Sequence, residues 1–234
     1  MKYIPSLMVG QLAGSAGSTT ASHNKYGSYF RTRVTPVNTE TTKRSAVRAS
    51  FGGWSNQWKG LTSGQRSAWN ALATTVTLQD KQGVSFQPSG FNLFVSSNQN
   101  NFGLSAALVD DAPAWDPPTA PVITGVTATE ETDVIASMTV AFTPTAPAGT
   151  SYVWEASPPM SPGVSMVPRS LYKRVGVTVP AGTSPTDISA GYELTYGTAL
   201  PLGTKVFVRG RAVFEATGQA SPWAYFETLA TASP

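Results

Sequence analysis

The chain has 234 residues, of which 41% are hydrophobic and only 12% charged, with 21 Gly, 18 Pro, six Trp and a formal net charge of +3. That apolar content is too high for a disordered chain, and the length suits two domains of roughly 100 to 120 residues. Without cysteine and with a single histidine, the sequence offers no disulfide framework, no thiolate metal site and no basis for a zinc site.

Charge is unevenly placed. Residues 1–111 hold ten Lys/Arg against four acids, whereas the remainder holds six against nine. A basic N-terminal half predicts an acidic partner, protein or nucleic acid, with a solvated basic surface as the plain alternative. Met1–Gly10 has neither the long apolar run nor the cleavage pattern of a signal peptide, and no run approaches the roughly 18 to 20 apolar residues of a membrane span. The protein is expected to be made in the cytoplasm, with no membrane partner.

In chain order, residues 10–24 are small and polar and read as an arm. Period-two alternation over Tyr29–Thr35 predicts a strand ending at Pro36, so arm and strand can form a hairpin. Asn38 or Thr39, with Glu40 following, predicts the start of a helix running to about Lys59. On it Val47, Phe51, Trp54 and Trp58 share one face, and Gly52-Gly53 predicts a kink or a close approach by another backbone. Thr62 and Gln65 have capping-box spacing ahead of a second helix that buries Trp69. A turn or small hairpin around Asp80–Gly83 follows, and then a third helix capped by Ser89 and carrying Phe91 and Phe94.

Residues 112–121 contain four prolines and read as a semi-stiff linker, dividing a domain at 1–111 from one at 122–234. Beyond it, short strands are predicted at 122–128, 136–142, 151–156, 173–179, 205–213 and 223–229, with an insertion at 157–169. Short alternating strands between Gly/Pro/Ser/Thr turns are the pattern of an antiparallel β-sandwich. The fold class is therefore α+β: a small helical domain with an N-terminal hairpin or arm, then an all-β sandwich.

No constellation carries chemistry. His23 lies in the arm without an assignable nucleophile or orienting group. The pairs Asp110-Asp111 and Glu130-Glu131 fall in turn-like or linker segments, where solvated charge is the usual role. The run Gly10–Ser15 lacks the ending of a phosphate loop. Tyr26, Tyr29, Phe30, Arg31 and Arg33 interleave aromatics and bases as single-strand nucleic-acid binders do, but an acidic protein surface is the preferred partner. Trp54, Trp58 and Trp69 have the ring type that stacks on sugars, but their helical spacing favours core packing. No catalytic, cofactor or metal residue is assigned.

Two resemblances add to this. Residues 121–234 resemble a fibronectin type III domain through Pro121-Val122, Met138–Pro144, Tyr152-Val153-Trp154, Val206–Val213 and Gly218–Trp223. Phe142 stands where that family has its buried Trp, and Phe207 where it has the Tyr whose hydroxyl ties down a loop. The N-terminal half resembles an uncharacterised group of proteins of tailed bacteriophages and environmental viruses, through Ser22-His23-Asn24, Gly27–Asn38, Arg48…Phe51…Trp58, Leu61-Thr62…Gln65-Arg66…Trp69-Asn70, Gly90–Phe94 and Val109–Pro113.

The viral resemblance implies a non-enzymatic virion structural protein, first of all a head-surface decoration or cement protein, otherwise a tail, neck or fibre adaptor. The partners would be other virion proteins, capsid or tail, in an oligomer or symmetric lattice. Lys25, Tyr29, Arg31, Arg33, Lys43, Arg44 and Arg48 are the candidate particle-docking residues. Val47, Phe51, Trp54, Trp58, Trp69, Phe91, Phe94, Phe142, Trp154, Phe207 and Trp223 are the expected core. The alternative is a host-glycan-binding module that uses the sandwich loops.

Overall fold

The computed structural model describes residues 12–24, 27–34, 41–79, 84–104, 106–180 and 182–233, excluding the Lys43 side chain. The expected helix cap at 38–40, the turn at 80–83 and the candidates Lys25 and Lys43 therefore lie outside the described residues or side chains. The chain is α+β and divides into two compact units, Met1–Ala46 and Val47–Pro234.

In the first unit, strands β1 (Gly14–Ala16), β2 (Thr19–Asn24) and β3 (Gly27–Thr32) form an antiparallel meander. Gly17, at a φ of 56°, lets the first turn close, a conformation that a side chain would strain. Ala21 pairs with Phe30 and Ser22 with Tyr29, so the register sets a small residue beside an aromatic on each face. None of the described side chains of this sheet is buried.

Helix α1 (Thr42–Gly60) runs from the first unit into the second, where it is followed by α2 (Ser63–Thr75), the short hairpin β4 (Leu78–Gln79) and β5 (Ser85–Phe86), and α3 (Gly90–Asn101). The capping box forms as its spacing predicts: Thr62 Oγ1 accepts from the Gln65 amide at 3.2 Å, and Gln65 Oε1 accepts from the Thr62 amide at 3.0 Å. Ser89 likewise caps α3 by accepting from the Asn92 amide. Trp69 and Phe94 are the centre of the small core, edge to face at 5.6 Å, with Trp58 against Phe91 and Phe94.

The apolar stripe of α1 is only half used. Trp54 and Trp58 pack on this core, but Val47 and Phe51 stand 56% and 53% exposed, which corrects their placement in the core. Spacing reports which residues share a helix face, not how far along that face a neighbour extends. The close backbone approach expected at Gly52-Gly53 occurs instead at Gly90, where a Cβ would stand 2.7 Å from the Asn70 amide nitrogen.

The later strands form two sheets. One has the order β10 (Thr186–Asp187), β7 (Val134–Thr143), β6 (Val122–Glu131), β14 (Thr231–Ala232), antiparallel except at its β6–β14 edge. The other has the order β12 (Gln219–Ala220), β11 (Lys205–Phe214), β8 (Thr150–Ala156), β9 (Lys173–Thr178), with β13 (Ala224–Leu229) also beside β11. Inward residues of both sheets, among them Met138, Val140 and Phe142 from one and Tyr152, Trp154, Val206 and Val208 from the other, make one core. Helix α4 (Ser189–Tyr196), unexpected from sequence, contributes Tyr192 to it.

Two residues expected in that core lie elsewhere. Phe207 faces outward on β11 and is buried with Val167 and Tyr172 under the insertion, which is bridged to β11 at Met160 and Lys205. Trp223 is half-buried beside two arginines. The helices and the sheets also belong to one unit, and 112–121 does not separate them. Gln219 donates to the Ala114 carbonyl and accepts from the Asp116 amide, and Asn100 and Asn101 of α3 donate to the Gly218 and Glu215 carbonyls. Prolines set local stiffness, but contacts more than 100 residues apart determine whether a segment is a joint.

Candidate functional surfaces

The period-two pattern of β3 aligns Tyr29 and Arg31 on one face of the first sheet, opposite Ser22 and Thr20. At the end of that strand Arg31, Thr32, Arg33 and Val34, with Ser15 and Thr20, line a depression of about 480 Å³. The other face carries Ala16, Ala21 and Phe30 around a hollow of about 200 Å³. The sheet thus presents a basic, hydroxyl-rich face and a mildly apolar one. Arg44 and Arg48 are exposed on α1.

A second surface lies on the outer side of the larger sheet. Tyr172, Phe207, Tyr225 and Glu227, with Met166 to Arg169 of the insertion, line a groove of about 610 Å³. Glu227 is paired with Lys205 at 3.2 Å. Beside the groove the Arg209 guanidinium is stacked between Tyr172 and Trp223, at 4.3 and 4.2 Å from the ring centres, and its Nε donates to Glu155 at 2.9 Å. Burial raises the Tyr172 hydroxyl pKa, and the Arg209 charge opposes that shift. Burial also lowers the pKa values of Arg174 and Arg211, with Glu155 opposing.

The sequence pattern alone does not reveal this Arg–aromatic ladder. Its signal is the alternation Phe207, Arg209, Arg211 on β11 against Tyr225 and Glu227 of β13 and Trp223 just before that strand, which becomes legible only once the two strands are known to pair, Phe207 with Glu227 and Arg209 with Tyr225. Asp110, Asp111 and Glu130 of the paired acids have structural partners. Asp110 accepts from Gln57 and Asp111 from Gln65, tying the segment after α3 to α1 and α2. Glu130 accepts from the Asp133 amide at 2.7 Å and so closes the β6–β7 turn. His23 is exposed on β2 opposite Ser28, and Trp69 donates its indole N–H to the Asp110 carbonyl. Among the described residues, no group of three or more His, Cys, Asp or Glu is placed to hold a metal ion, and no helix is long and apolar enough to cross a membrane.

No protein-family model and no curated protein matches the chain. Among solved structures, the chain is similar to one described as "Crystal Structure of FN3tt", at 16% identity over 50% of this chain and 100% of that one, with a TM-score of 0.30.

Proposed function

We propose that this chain is a non-enzymatic structural protein of a tailed-phage particle, a head-surface decoration protein that docks through its N-terminal sheet. The observation that carries this reading is the sheet itself: three strands with no buried side chain among those described, and Tyr29 and Arg31 on one face. So small a sheet gains little stability from its own contacts, and a neighbour that covers a face or extends an edge supplies the rest. The resemblance of 22–113 to viral proteins supplies the setting. In the second unit, two facing sheets have the architecture that fibronectin type III domains share, with Trp154 packed on Phe142 at 5.2 Å where that family has its buried Trp.

The test is binding of the full chain to particles stripped of it. Arg31→Glu with Arg33→Glu should weaken binding at least tenfold without loss of folding. Unchanged binding would reject the sheet as the anchor, and location of the protein at a tail or neck by microscopy would favour the adaptor role. A second reading, glycan binding, draws on the groove where Tyr225 stands beside Tyr172 at 6.2 Å. It requires retention of the chain on a glycan surface and loss of that retention in Tyr225→Ala.

A further inference from the structure

We propose that the uncovered half of the α1 stripe docks on the β6–β7 turn of a second copy of the chain. Val47 and Phe51 continue the line of Trp54 and Trp58, which α3 covers: Trp54 donates to Gln99, and Trp58 packs on Phe91 and Phe94. The two exposed side chains form an apolar strip with Arg48 at its border. The 19 residues of α1 contain no Asp or Glu. Two such strips placed together would bring cations against cations, so symmetric pairing of α1 with α1 is disfavoured. The strip calls for an apolar surface with an acidic rim.

The same chain carries one. At the β6–β7 turn, Glu131 and Asp133 are exposed beside Val134, which is 44% exposed. The turn is held in shape: Thr132 and Asp133 adopt φ values of 56° and 61°, the Asp133 amide donates to Glu130, and Asp133 and Thr198 carbonyls accept from Leu200 and Ile135. It belongs to the sheet opposite the one on which α3 packs through β12 and the Arg174–Phe102 hydrogen bond. Each copy therefore offers one strip and one turn. Their union is heterologous and propagates into a ring or an array. This deepens the particle reading by naming a contact between copies, and its test needs no particle, so the two can fail separately.

The experiment is sedimentation of the full chain over a range of concentrations, at low salt and at about 0.5 M salt, where charge contacts are screened. Wild type should self-associate reversibly and more weakly at high salt. Phe51→Glu should weaken association at least tenfold. Arg48→Glu and the double variant Glu131→Lys with Asp133→Lys should each be defective alone and associate again when mixed, since contacts between the two variants join opposite charges whichever of them supplies the strip. A chain that stays monomeric at every concentration, or association untouched by both charge reversals, overturns the proposal.

Discussion

Asn98 holds Val109 by both of its backbone groups: Oδ1 accepts the Val109 amide at 2.9 Å, and Nδ2 donates to the Val109 carbonyl at 3.1 Å. The same Nδ2 donates to the Phe94 carbonyl at 3.0 Å, so a nearly inaccessible side chain fastens the segment after α3 to the helix. Asn98→Ala removes all three hydrogen bonds and leaves their buried partners short of a contact, which should cost about 2 to 4 kcal/mol. Asn98→Asp should cost more, because it buries a carboxylate against the Phe94 and Val109 carbonyl oxygens, which repel it. Urea unfolding midpoints measure both.

Gly210 lies under the Trp154 ring, where a Cβ would stand 2.1 Å from Cζ3. Both residues belong to adjacent strands, and Gly210 pairs with Trp154 in the register, so neither can withdraw without breaking the ladder. Gly210→Ala should destabilise by about 1 to 3 kcal/mol, the usual cost of overpacking. Because the overlap is with the six-membered ring, Gly210→Ala combined with Trp154→Leu should be less destabilised than the sum of the two single changes. Additive losses in the double-mutant cycle would contradict that contact.

Local chemistry made much of this molecule readable. The box at Thr62 and Gln65 and the cap at Ser89 act over a few residues, and each is found where the pattern placed it. What stayed hidden depends on partners distant in sequence. Nothing near Val47 says that α3 stops short of it, and nothing near Pro117 says that Gln219 will hold the segment beside it. The outward burial of Phe207 needs the insertion to fold over it. The basic face at Tyr29 and Arg31 was legible because a period of two survives any context, whereas the groove at Tyr172 needed four separate segments to meet.

The division of the α1 stripe makes a paired prediction. Phe51→Ala should change stability by no more than about 0.5 kcal/mol, since an exposed side chain loses little on truncation. Trp58→Ala removes two ring contacts from the small core and should cost about 2 to 4 kcal/mol. Thermal or urea unfolding of the two variants separates the covered from the uncovered half. Equal losses would mean that Phe51 is packed in solution.

Tyr192 and Tyr196 lie together, their ring centres 5.1 Å apart, with opposite hydrogen-bonding fates. The Tyr196 hydroxyl lies 2.7 Å from the Ala156 carbonyl and 2.6 Å from that of Leu171, whereas the buried Tyr192 hydroxyl has no partner among the described residues. Tyr192→Phe therefore removes an unsatisfied polar atom and should leave stability at neutral pH unchanged or raised by about 1 kcal/mol. Tyr196→Phe should lower it by about 1 kcal/mol. At high pH the order shifts. Burial is the main cause that pushes the Tyr196 pKa up to about 12, and it raises that of Tyr192 as well. Below the ordinary value near 10 both states are neutral and no stability is at stake. Above it the unfolded chain releases its proton while the folded chain keeps it, so folding weakens as pH rises from about 10 towards the folded-state pKa, with a slope of up to about 1.4 kcal/mol per pH unit for each tyrosine. Unfolding midpoints followed from about pH 8 to 12 should fall less steeply in either Phe variant than in wild type, and a slope unchanged by both would place the alkaline transition in other groups.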